Sequence, residues 1–169
     1  SPTVSTEDGV RSYIGQGNNA YTTAQLSRYV TAVANNGTVY NLTLLDKVTD
    51  SNDNIIIDYS PSVKNTVELP NAYWNAIHRG MRSVVVKKPY YNELGVNVAG
   101  KTGTAQESKN RTNHALFVSY APFESPEITI STRIPFGYTS DYAANVTSEI
   151  YKYYYGLEEE DNILTGTAA

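Results

Sequence analysis

The sequence predicts an α+β fold: a small antiparallel sheet of about three strands, with flanking helices and a hairpin. Two stretches of helical period and a long hairpin come first, three strand-like runs with short connections follow, and a last helical stretch closes the chain. Composition agrees, since 40% of the 169 residues are hydrophobic and 18% charged, which belongs to folded rather than disordered chains. No apolar run approaches the roughly 18 residues that crossing a bilayer needs.

The first stretch, ending in Gly15-Gln16-Gly17-Asn18-Asn19, has no periodicity and reads as loop. A helix then starts at Thr22, whose side chain caps it, with Gln25 completing a capping box. Leu26, Tyr29, Val30 and Val33 fall on one face, and Asn35-Asn36-Gly37 supplies left-handed residues that end the helix. Val39–Val48 and Ile55–Ile57 flank the polar stretch Thr49–Asn54, which predicts a hairpin with a long turn. A second helix is predicted from Pro70, placed at the first helical position where a missing N–H costs nothing. Its stripe is Trp74, Ile77, Met81, Val84 and Val85. Gly80 interrupts it at a cost of about 1 kcal/mol against alanine, so close packing is expected there.

Strands are predicted at Val96–Ala105, His114–Tyr120 and Glu127–Ile134. The middle one is nearly continuous in apolar residues and suits a sheet interior covered on both faces. The third alternates Ile128, Ile130, Thr132 and Ile134 with polar residues, which predicts one wet face. The last helix is expected to be capped by Asp141 and to bury Ala143, Val146, Ile150 and Tyr153/Tyr154 before Gly156. The acidic tail Glu158–Asp161 reads as solvated.

Several functions are excluded or disfavoured. A net charge of -4 gives no nucleic-acid footprint. The absence of cysteine removes disulfides, thiolate nucleophiles and zinc-thiolate sites. His78 and His114 are not at metal-ligand spacing and no acidic cluster joins them, so no metal and no cofactor is expected. Both histidines read as packing or surface residues. Ser1-Pro2-Thr3-Val4 carries neither an initiating Met nor a signal-like pattern, so the chain reads as cut from a longer one.

The stretch that points to chemistry is Gly100-Lys101-Thr102-Gly103-Thr104-Ala105-Gln106. A lysine beside two threonine hydroxyls on an exposed strand offers a cation and two donors to a carboxylate. Gly103 removes a side chain where a ligand would approach the backbone, and the Thr104 N–H is a candidate donor to an oxyanion. A polar strand entry with a turn glycine would look the same in isolation. Arg111 is a further candidate for the rim of such a groove.

Context narrows the choice. Gly15-Gln16-Gly17, then Tyr21-Thr22-Thr23-Ala24-Gln25-Leu26 and Ala34-Asn35-Asn36-Gly37, precede a helix carrying Gly80-Met81 and Val84-Val85. Phe117-Val118-Ser119-Tyr120-Ala121-Pro122 and Pro126-Glu127-Ile128 follow the Lys-Thr-Gly strand. In this order and spacing the chain resembles, over roughly residues 10 to 156, the C-terminal half of the transpeptidase domain of class B penicillin-binding proteins. The resemblance implies the serine transpeptidase/β-lactamase-like fold, here partial. It implies a peptidoglycan D,D-transpeptidase that works through an acyl-serine intermediate and binds β-lactams. Lys101 would add positive charge beside the nucleophile and bind the substrate carboxylate. Thr102 and Thr104 would hydrogen-bond that carboxylate, Gly103 would admit it, and the Thr104 N–H would be one of two oxyanion donors.

No serine here is followed by lysine three residues later, so the family's Ser-x-x-Lys nucleophile and base are not in this chain. Ser108-Lys109-Asn110 matches the family's Ser-x-Asn only superficially, because it follows Lys101 instead of preceding it; it reads as an inter-strand loop. Residues 1–169 are therefore expected to be the C-terminal portion of the domain, inactive without the nucleophile-bearing portion. The implied partners are the stem peptide and β-lactams, with oligomerisation through an exposed sheet edge as a further expectation. The implied location is the extracytoplasmic face of a bacterial membrane. A β-lactam sensor domain and a non-catalytic cell-wall scaffold of the same fold stay open as alternatives.

Overall fold

A computed structural model describes residues 21–105 and 110–158, together with Gly9. Helix α1 (Thr23–Ala34) begins as its capping box requires. Thr22 Oγ1 accepts the Gln25 N–H at 3.2 Å, and Gln25 Oε1 accepts the Thr22 N–H at 2.8 Å. It ends with Asn36 and Gly37 in the left-handed region, at φ 61° and 109°. Gly37 also meets a packing demand, since a Cβ there would lie 2.1 Å from the Val67 carbonyl oxygen.

The expected hairpin forms as two successive antiparallel ladders rather than one. Strands β1 (Thr38–Tyr40) and β4 (Val63–Thr66) pair at its base, and β2 (Lys47–Thr49) and β3 (Ile55–Asp58) pair towards its tip. The expected run Val39–Val48 is interrupted because Thr43 Oγ1 accepts the Leu45 N–H at 2.9 Å, a local bond that competes with a ladder. At the tip, Asp50 Oδ1 accepts the N–H groups of Asn52 and Asn54. Every residue of β2 and β3 is exposed.

Helix α2 (Asn71–Val85) starts one residue later than expected, with Pro70 as its N-cap and not its first helical residue, because Pro70 keeps an extended ψ of 138°. Trp74, Met81 and Val85 are buried, whereas Ile77 is only partly covered. Gly80 overturns the packing expectation: it is exposed, and a Cβ added there meets nothing within 4 Å. Nothing in the structure explains this glycine. After α2 comes a 3-10 turn, Pro89–Leu94, that periodicity did not reveal; it buries Tyr91 and Leu94 and delays the next strand to Ala99.

That strand is β5 (Ala99–Ala105), followed by β6 (His114–Ala121) and β7 (Ile128–Ile134), in an antiparallel sheet of order β5-β6-β7. Central β6 is covered on both faces, as its apolar run implies. Strand β7 departs from its expected wet face, with only Arg133 exposed. Helices cover both of its sides: Thr31 of α1 and Thr129 approach to 2.8 Å between hydroxyls, and Thr132 lies 2.7 Å from Thr147 of helix α3 (Ser140–Tyr154).

The sheet thus separates two cores. On one face Val30, Val33, Ala34 and Met81 pack with Ala99 and Tyr120. On the other, Tyr91, Leu94, Ala143, Ala144 and Tyr151 pack with Val98, Phe117 and Ala121. Helix α3 corrects two expectations. Its N-cap is Thr139, whose Oγ1 accepts the Asp141 N–H, while Asp141 sits in the first turn where its carboxylate suits the helix dipole. Its buried face is Ala143, Ala144, Thr147, Ser148 and Tyr151; Val146, Ile150, Tyr153 and Tyr154 are 40–55% exposed. Small residues let the helix approach the sheet, and the Thr and Ser hydroxyls are satisfied by the Ala143 and Asn145 carbonyls. Glu158 is likewise not free in solvent, lying 3.4 Å from the Lys152 ammonium.

Candidate active site

Lys101, Thr102, Gly103 and Thr104 are consecutive on β5, an edge of the sheet among the described residues. They pair with Val118, Phe117, Leu116 and Ala115 of β6. Alternation places Lys101 and Gly103 with Ala99 on the face covered by α1 and α2, and Thr102 and Thr104 with Gly100 on the face covered by α3. A ligand reaching all of them must lie along the edge rather than on either face. Lys101 and Thr104 are exposed, Thr102 and Gly103 half-buried. The Lys101 ammonium donates to the Thr102 carbonyl at 2.8 Å.

Glycine at two positions has a packing reason. A Cβ at Gly100 would fall 2.4 Å from the Phe117 ring, and one at Gly103 would fall 3.2 Å from Leu116 Cβ. The strand therefore sits against β6 with little clearance.

Residues that the sequence did not single out hold the start of β5. Arg82 of α2 donates to the Val98 carbonyl at 3.0 Å and to Asn97 Oδ1 at 2.5 Å, and Asn97 Nδ2 donates to Glu124 at 2.6 Å. No local pattern signals this clamp, because its partners are 15 to 27 residues apart and one acceptor is a backbone carbonyl.

Both histidines pack. His78 Nε2 lies 2.8 Å from the Val33 carbonyl, and its ring meets Tyr120 edge-on at 5.7 Å. His114 Nδ1 accepts the Phe136 N–H at 3.0 Å, opposite Ala105 at the end of β5. Arg111 stacks its guanidinium 5.4 Å over the Phe136 ring. The Gly15-Gln16-Gly17 segment, Gln106 and Ser108-Lys109 lie outside the described residues.

A lysine–threonine–glycine–threonine edge strand, backed by a largely buried β6 and closed by helix α3, meets its match among known families. A model of the penicillin-binding protein transpeptidase domain fits residues 6–153. The chain belongs to this transpeptidase family.

Its relatives agree. It is 33% identical to penicillin-binding protein 2A of Bacillus subtilis (strain 168), over 77% of this chain and 21% of that one. It is 28% identical to the peptidoglycan D,D-transpeptidase MrdA of Haemophilus influenzae, over 83% of this chain and 25% of that one. The chain therefore spans about a quarter or less of these relatives' length. Among solved structures it resembles penicillin-binding protein A from M. tuberculosis, determined as an imipenem acyl-enzyme complex. The TM-score is 0.75 at 20% identity, covering 94% of this chain and 36% of that one. The α+β fold expected from the sequence is thus the fold of the transpeptidase domain. No helix among the described residues is long and apolar enough to cross a membrane.

Proposed function

We propose that residues 1–169 are the C-terminal portion of the catalytic domain of a peptidoglycan D,D-transpeptidase acting outside the cytoplasmic membrane, and that β5 forms one wall of its cleft. The observation that carries this reading is Lys101-Thr102-Gly103-Thr104 on an edge strand, in a chain matched over residues 6–153 by the transpeptidase family.

In this reading a serine from the preceding portion of the domain attacks the D-Ala–D-Ala carbonyl. The bond to the terminal D-Ala breaks, that D-Ala leaves as the free amino acid, and an amine from a neighbouring stem peptide takes the acyl group from the serine. Lys101 supplies positive charge beside the nucleophile and, with the Thr102 and Thr104 hydroxyls, holds the substrate carboxylate. Gly103 keeps the backbone approachable, and the Thr104 N–H donates to the oxyanion, a contribution of about 3 kcal/mol in comparable sites. β-Lactams would present a like carboxylate and a strained carbonyl to the same wall, and the M. tuberculosis relative forms an acyl-enzyme with one of them, imipenem.

Labelled penicillin tests both parts. The 169-residue chain alone is expected to show no covalent mass increase, and the longer polypeptide that supplies a Ser-x-x-Lys is expected to acylate. Lys101→Ala in that longer polypeptide should slow acylation by about a hundredfold or more. Acylation of the isolated chain would overturn the incomplete-site reading, and an unaffected Lys101→Ala would remove β5 from the cleft.

A further inference from the structure

Between α1, α2 and the β1–β4 ladder lies a cavity of about 390 Å3, within the size range of small-molecule sites. Val33 and Trp74 form its buried floor, and Tyr29, Leu69 and Ile77, each 38–63% exposed, its walls. Its lining is aliphatic and aromatic apart from two side chains, Gln25 and Arg28, both in the first half of α1. Gln25 is engaged in the helix cap. Arg28 is half-buried, lines the cavity, and has no hydrogen-bond or ion-pair partner among the described residues.

A half-buried arginine that lines an apolar cavity and has no partner among the described residues favours an anion attached to an apolar body. We propose that this cavity binds a free single-chain amphiphile with a carboxylate head, a fatty-acid-like molecule, with its head on Arg28 and its chain running along α1 over Trp74 towards Gly37. A peptide is the poorer occupant, because its buried N–H and C=O groups would need partners that an apolar lining does not offer. A bilayer is poorer still, since a hollow between two helices and a ladder admits a single chain, not a surface. The site shares no residue with Lys101–Thr104.

Trp74 is the chain's single tryptophan, so its emission reports directly on the cavity. The 169-residue chain is titrated with decanoate below its micelle-forming concentration, with neutral 1-decanol and with cationic decyltrimethylammonium. Decanoate should give a saturable shift of Trp74 emission and bind about tenfold more tightly than 1-decanol, the margin of one charge-assisted bond. Arg28→Gln should abolish that preference, and Ala32→Leu, which fills the floor, should weaken all three ligands at unchanged circular dichroism. If Ala32→Leu fails to fold, the Arg28→Gln comparison decides alone. No saturable shift, equal affinity for the three head groups, an unaltered Arg28→Gln, or a shift seen only with phosphatidylcholine vesicles would each overturn the proposal. Penicillin acylation plays no part in the readout, so either result leaves the transpeptidase reading to its own test.

Discussion

Two buried tyrosines on opposite faces of the sheet differ in one hydrogen bond. Tyr151 has its hydroxyl 3.0 Å from that of Ser119, both residues fully buried. Tyr120 is also fully buried, yet its hydroxyl has no partner among the described residues, and burial pushes its pKa up to about 12. Tyr151→Phe should therefore cost about 1–2 kcal/mol in urea unfolding, by leaving Ser119 unsatisfied, whereas Tyr120→Phe should be neutral or slightly stabilising. A loss at Tyr120 equal to that at Tyr151 would show that burial of the hydroxyl, not pairing, sets the energy. Glycines divide in the same way. Gly100→Ala meets the Phe117 ring at 2.4 Å and should destabilise by about 1–3 kcal/mol, while Gly80→Ala meets open space and should stabilise by about 1 kcal/mol. The sequence raised Gly80 and Gly103 as positions needing a reason, but it could not say which side chain stood opposite. For Gly103 that depends on the β5–β6 register, and for Gly80 on what faces α2, both of them tertiary facts.

At the level of elements, local signals were readable and long-range ones were not. Thr22 and Gln25 are three residues apart and make both of their bonds within one turn, so the start of α1 was legible from the sequence. The apolar run of β6 likewise announced a covered strand. Helix α3 was read correctly at Ala143 but misread beyond it, because hydrophobicity points to Val146, Ile150 and Tyr153, while close approach to the sheet selects Ala144, Thr147 and Ser148. Its first turn is tied down by charge. The Asp141 carboxylate is paired with the Lys88 ammonium and accepts the Tyr90 hydroxyl at 3.0 Å, and the Lys88 bond foremost holds its pKa below the ordinary carboxylate value of 3.8. A depressed folded pKa contributes stability above the unfolded pKa, and this is lost as pH falls through the folded value. The chain should thus lose α3 anchoring only below about pH 4, and Asp141→Asn should flatten that acid limb in a pH series of thermal melts. An unchanged limb would assign acid sensitivity to other carboxylates.

For the whole molecule, the candidate site was legible as a motif and not as a place. Lys101-Thr102-Gly103-Thr104 could be found by inspection, but that it lies on a sheet edge, clamped at its start by Arg82, required the fold. Strands β5 and β7 are both edges among the described residues, and the stripe Val146, Ile150 and Tyr153 adds an uncovered apolar face. Such surfaces favour association. Light scattering after gel filtration should therefore show mass increasing with concentration for the 169-residue chain, and a strict monomer across the range would count against pairing at these edges. Among the described residues, the two cores on opposite sides of the sheet share the central strand β6, most of whose residues are buried. Losing the α1–α2 layer or the α3 layer alone leaves that strand protected on its other side and still bonded to β5 and β7. Its amides should consequently be the last to exchange with deuterium, and their exchange should report global unfolding while every other segment opens earlier by a partial route.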